Sequence, residues 1–192
     1  MRRQQTIDRQ YFEDLYTETP DPWNFASSDY ERRKYQATLD ALGDDLGDVL
    51  EIGCSIGVFT RRLARRCRRL LAVDISEVAL DTARRSCADR PNLEFRHMQL
   101  PDEVPGGRFD VILLSEVGYY WTEPDLDRFV AWMVTALTPG GRCALVHWTG
   151  PTDYPLTGDQ VHERVTATTG TALRPTKSVR DARYRLDILA KA

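Results

Sequence analysis

The chain has 192 residues, 42% of them hydrophobic, with a formal charge of -3 and a pI near 5.7. That length suits one domain, 1–192, with a single sizeable core, and the acidic balance disfavours a nucleic-acid partner. No apolar run is long enough for a bilayer and the start "MRRQQTIDRQYFEDLY" lacks the apolar core of a secretory signal, so a soluble cytoplasmic protein with no membrane partner is expected.

Residues 6–17 and 29–42 read as helices, the second because Tyr35, Leu39 and Leu42 recur at helical spacing. Between them "TPDPWNFASS" is an aromatic loop, since its prolines interrupt any helix. Strand and helix then alternate. "DVLEIG" is followed by a helix from about Val58, and "RLLAVD" by a helix that Ser76 caps. "LEFRHM" is a third strand and "FDVILLS" a fourth, apolar enough to be buried on both faces. Thr122 caps a helix with Leu126, Phe129, Val130, Met133 and Leu137 as its inward stripe, "TPGG" stops it, and "RCALVHW" is a fifth strand. After a loop and a helix over about 159–168, "ALRPTKSV" and "YRLDILA" form an antiparallel finish. The order predicts an α/β, doubly wound, mostly parallel sheet with helices on both faces and ligands at the carboxyl ends of its strands.

The run "TRRLARRCRRL" places Arg61, Arg62, Arg65, Arg66, Arg68 and Arg69 on a helix, read as a solvated face. Cys54, Cys67, Cys87 and Cys143 form no C-x-x-C pair, and His97, His147 and His162 fall at no ligand-like spacing with them. Neither a disulfide framework nor a metal site is expected.

"VLEIGCSIGVFT" runs from a strand through Gly53, Ser55 and Gly57 into a helix, a turn that lets a ligand approach the backbone. Asp74, ending the next strand, is spaced to accept ribose hydroxyls, which favours an adenosine ligand. A Walker A sequence is absent. Glu51 sits poorly beside a pyrophosphate but suits a ligand with a cationic end, such as S-adenosylmethionine (SAM).

Glu51-x-Gly53-x-Ser55-x-Gly57, with Asp74, resembles the first motif of class I SAM-dependent methyltransferases, and Ser55 stands where the middle glycine would be. The resemblance implies a Rossmann-like, seven-stranded sheet with an antiparallel last strand. It also implies SAM as cofactor and S-adenosylhomocysteine (SAH) as product, held by Glu51, Gly53, Cys54, Ser55, Gly57, Asp74 and Ile75. Where that class carries an adenine-binding Asp, this chain has Met98 and Gln99. "DPWNF", "YERRKY", "LEIGCSIGVFT" and "SEVGYYW" together resemble the NodS-type methyltransferases, which implies the free amine of an amino sugar or deacetylated chitooligosaccharide as acceptor.

On this reading residues 1–45 cap the cofactor and acceptor. Tyr11 and Tyr16 cap the methionine end of SAM, and Arg33 or Arg32 pairs with its carboxylate. Glu116 takes the amine's proton or pairs with the cation, Tyr119 and Tyr120 recognise the sugar, and His147 is the other base. Asp21, Trp23, Phe25 and Trp148 complete the acceptor site. Three other readings stay open: a small-molecule O-methyltransferase using His147 and Glu116, an NAD-dependent oxidoreductase, and a SAM-binding module without turnover.

Overall fold

The computed structural model describes residues 2–192. Strands β1 (Asp48–Ile52), β2 (Arg69–Asp74), β3 (Leu93–His97), β4 (Phe109–Ser115), β5 (Leu137–Trp148), β6 (Leu173–Arg180) and β7 (Tyr184–Lys191) form one sheet in the order β3-β2-β1-β4-β5-β7-β6. β1 to β5 run parallel, and β7 runs antiparallel to both β5 and β6. This is the class I methyltransferase fold expected from the motifs.

Alternation along the central strands sends side chains to two cores. Leu50, Ile52, Ile112, Leu114 and Leu145 pack with α5 (Glu123–Ala136) and α6 (Gly158–Thr169). Val49, Val111, Leu113, Ala144 and Val146 pack on the other face with α2 (Asp29–Leu42) and α3 (Val58–Leu63). Because both faces are covered, the strands are nearly continuous apolar runs.

Three boundaries differ from expectation, the first helix beginning at Arg9 and not at residue 6. α3 ends at Leu63, so the arginine run is divided among helix, turn and the start of β2. Its charges are largely spent on neighbours: Arg61 on Asp89, Arg66 on Asp44, Arg68 on Asp48. Leu137 belongs to β5 and not to the preceding helix, because the strand reaches back to pair Leu137 with Phe109 around an irregularity at Phe109/Val111.

The amino-terminal segment docks over the carboxyl ends of the strands. α1 (Arg9–Glu18) contributes Phe12 and Tyr16 to the core. Its Glu13 carboxylate accepts from Ser76 Oγ and from the N–H groups of Glu77 and Val78, at the start of α4 (Glu77–Ser86). An anion at a helix N-terminus satisfies orphan donors and the local dipole together. Among the described residues no helix is long and apolar enough to cross a membrane.

Gly57 opens α3 at φ +82°, and a Cβ there would lie 3.0 Å from the Ala83 Cβ and 3.1 Å from its Cα. Replacement by alanine should therefore lower stability by roughly 1–3 kcal/mol, combining left-handed strain with overpacking of α3 on α4. Thermal melts check this; an unchanged Tm would mean that the two helices separate freely.

Candidate active site

A cavity of about 380 Å³ opens at the carboxyl ends of β1, β2, β4 and β5, where the topology places a ligand. One part is lined by Gly53, Ser55, Asp74, Ile75, Met98 and Leu100, and the other by Trp23, Phe25, Tyr30, Glu31, Lys34, Glu116, Tyr119, Tyr120, Trp148 and Tyr154. A side recess of about 40 Å³ adds Glu51, Cys54 and Tyr35.

The loop after β1 spends its donors internally. Gly53 and Cys54 N–H groups donate to the Val73 carbonyl at 2.8 and 3.1 Å, Gly57 N–H to the Cys54 carbonyl, and Ser55 N–H to Asp74 Oδ2 at 2.8 Å. This is no anion cradle, since a phosphate site needs such N–H groups unengaged. Gly53 stands at φ +74° in close approach to Val117, which a Cβ would overlap at 2.2 Å. Ser55 adopts φ +51° although it is not glycine, and its Oγ meets the Tyr16 hydroxyl at 2.5 Å. The serine in place of a glycine thus ties the loop to α1.

The charges here are acidic. Glu51 is buried at 3% exposure and its Oε2 has no hydrogen-bond partner. Burial pushes its carboxyl up to about 8. Asp74 is also buried, and burial outweighs the N–H donors of Ser76 and Ser55 to raise it to about 6.

At the other end Lys34 is 2% exposed and lies between two carboxylates, 3.0 Å from Glu31 Oε1 and 2.5 Å from Glu116 Oε1. Burial alone would lower its pKa, but the two carboxylates hold it above the ordinary lysine value. Glu116, at φ +58°, also accepts from the Tyr119 hydroxyl at 2.7 Å and from Trp148 N–H at 2.9 Å. Both of its oxygens are engaged, so it is not the free base expected at this position.

Several other expected residues stand elsewhere. His147 does not line the cavity; it is fully buried, and its Nε2 accepts from Gly118 N–H at 3.1 Å. Its Nδ1 meets His162 Nε2 at 3.1 Å, and His162 Nδ1 meets Asp187 Oδ2 at 2.7 Å. Gly118 can only donate and an ionised Asp187 only accept, so both imidazoles carry their proton on Nδ1. His147 is therefore part of the support of the 3-10 turn Gly118–Tyr120, which carries Tyr119 and Tyr120. Arg33 and Arg32 are exposed on α2, and Lys34, one residue on, takes the inward position. Asp21 is occupied within its own loop, accepting from Phe25 and Ala26 N–H groups. Tyr11 packs edge-on against Phe12, which lines the cavity in its stead. Gln99 and Gly57 do not line it either; Gln99 N–H is held by Glu103, and Gly57 packs on α4.

Glu31 and Lys34 were not anticipated. The phase of α2 carried the signal, since Glu31, Lys34 and Thr38 fall on the same arc as the buried Tyr35, Leu39 and Leu42.

Against known proteins, the family model described as nodulation protein S (NodS) matches residues 8–144. The chain belongs to the NodS family. Nodulation protein S of Rhizobium tropici is 30% identical over 124 residues, covering 63% of this chain and 52% of that protein. The chain thus spans about half the length of the curated relatives it matches. The N-methyltransferase NodS from Bradyrhizobium japonicum WM9, solved with SAH, superposes with a TM-score of 0.83 at 22% identity, over 96% of this chain and 99% of that one. A provisionally assigned methyltransferase of Pseudomonas syringae is 32% identical, with a TM-score of 0.74 over 84% of this chain and 99% of its own. This member of the NodS family shares that fold.

Burial holds His147 and His162 below the usual imidazole range. The unfolded chain binds protons on them below about pH 6.5 whereas the folded chain resists, so stability should fall as pH drops through that range. Thermal melts between about pH 5 and 8 check the sign. Asp187→Leu, which strands the His162 Nδ1–H, should cost roughly 1–3 kcal/mol. Asp187→Asn should cost less, because an amide oxygen still accepts.

Proposed function

We propose that this chain is a methyltransferase that uses SAM and methylates the free amine of a small molecule, an amino sugar or deacetylated chitooligosaccharide. The carrying observation is that one cavity joins a loop with acidic partners to an aromatic chamber holding two carboxylates and one lysine. The donor set fits the cofactor. Asp74 lines the cavity and can accept ribose hydroxyls, Ile75, Met98 and Leu100 offer an apolar wall for the adenine, and the unpartnered Glu51 oxygen awaits a cation beside the loop. SAM, when bound, supplies a methyl group already activated by its positive sulfur.

The chain's own residues then have to orient the acceptor and exclude water. Trp23 and Phe25 lie stacked with ring centroids 5.5 Å apart, and offer a face to a sugar ring. Tyr119 and Tyr120 close the chamber from the turn after β4, with Trp148 beside them. Glu116 serves as the fixed anion of the chamber, held by Lys34, while the aromatic rings favour the cation that methylation leaves on nitrogen. An O-methyltransferase built on His147 and Glu116 would need one of them free as its base, and His147 is sequestered while Glu116 is engaged. A dinucleotide is disfavoured by the spent N–H groups of the loop. We place the reaction in the cytoplasm, where the four free cysteines stay reduced.

SAH release from SAM, assayed with deacetylated chitin oligosaccharides, their acetylated parents and simple amino sugars, should occur only with a free amine and rise with pH as the amine loses its proton. Asp74→Asn should weaken SAH binding about tenfold or more by titration calorimetry, since a hydrogen bond to a charged group is worth roughly 1.5–3 kcal/mol, and should lower the Tm because the amide NH2 cannot accept from both Ser55 and Ser76 N–H. Turnover of hydroxyl acceptors alone would transfer the protein to the O-methyl class.

A further inference from the structure

Of the four carboxylate oxygens around Lys34, three are engaged: Glu31 Oε1 and Glu116 Oε1 by the ammonium, and Glu116 Oε2 by Tyr119 and Trp148. The fourth, Glu31 Oε2, is buried and has no hydrogen-bond partner. Glu31 is only 7% exposed, and it lines the main cavity. The neighbouring Tyr30 also lines the cavity, and its hydroxyl is likewise buried without a partner. Two carboxylates against one ammonium leave a negative charge uncompensated away from water, which is costly unless a cation completes the cluster.

Resting on the methyltransferase reading above, we propose that Glu31 is the residue that receives the acceptor's protonated amine and takes its proton. Its free oxygen accepts an N–H of the R–NH3+ group. The N–H bond breaks, an O–H bond forms on Oε2, and nitrogen keeps the electron pair as a neutral amine able to attack a methyl group. The cluster is then balanced, with Lys34 paired to Glu116 alone and Glu31 a neutral acid. Tyr30 is placed on the same turn of α2 to take a hydroxyl of the acceptor, so the class of substrate is an amine bearing a nearby hydroxyl. The charged and titratable groups facing Glu31 are Lys34 and Tyr35 on its own helix, Tyr30 beside it, and Glu116 from the turn after β4. Burial raises the Glu31 carboxyl against the pull of Lys34, in keeping with a group that exchanges a proton.

The test is Glu31→Gln in the full chain, measured three ways. Relief of the unbalanced charge should hold or raise the Tm of the ligand-free protein, by about 2–4 °C if the relief is complete, at neutral pH. That difference should shrink as pH falls, because burial makes wild-type Glu31 take up a proton more readily than an ordinary carboxyl. By calorimetry SAH should bind the variant within about threefold of wild type, while the fully deacetylated chitin disaccharide should bind the SAH-loaded variant about tenfold or more weakly. A falling Tm would make Glu31 the structural counter-ion of Lys34 and overturn the assignment. Equal losses for SAH and disaccharide would move Glu31 to the cofactor, and unchanged disaccharide binding would remove it from the acceptor site. A wild-type protein that binds SAH but none of the free amines overturns the amine reading itself, and this assignment with it.

Discussion

The site is organised around a lysine ammonium taken almost wholly out of water. Removing such a charge from solvent costs several kcal/mol, and the cost is offset only when opposite charges and hydrogen bonds meet it in fixed positions. Lys34 finds one carboxylate on its own helix and another on the turn after β4, so it couples α2 to the carboxyl end of the sheet. Glu116 holds the Tyr119 hydroxyl and the Trp148 N–H, and those residues form two walls of the chamber.

The same economy governs the other half. Asp74 holds the loop after β1 through Ser55 N–H and the start of α4 through Ser76 N–H, while Glu13 reaches that helix from α1. Two carboxylates from different parts of the chain meet one helix start, and the lid over the cavity is fastened there. Left-handed backbone at Ser55 and Glu116, both non-glycine, marks the two turns where strands β1 and β4 give way to the site. Such conformations persist where surrounding contacts over-determine them, and here the Tyr16 hydroxyl and the Lys34 ammonium do so.

The succession of strands and helices was legible because apolar runs bounded by turn residues alternated with helical periods. The loop after β1 was legible for a related reason: Gly53, Ser55 and Asp74 meet at one cavity through local geometry that sequence spacing records. The acceptor half was harder. His147 and Glu116 were recognisable as ionisable groups at strand ends, but whether a group is free depends on partners far along the chain, Asp187 through His162 for one and Lys34 for the other. A basic residue in "YERRKY" was expected to serve the site, and three consecutive cations differ only in helical phase. Phase selects Lys34 and leaves Arg32 and Arg33 in solvent.

The insertion of β7 between β5 and β6 bears on the acceptor chamber. β7 follows β6 in sequence yet takes the slot beside β5. From that slot it brings Asp187 to the line that runs through His162 and His147 to Gly118, and the Lys191 ammonium to the carbonyls of Val134 and Leu137. The turn bearing Tyr119 and Tyr120 is thus supported through a strand that lies far along the chain from it. The β5–β7 seam thereby braces the cavity wall as well as the sheet, so a change on β7 reaches Tyr119 and Tyr120 without touching them.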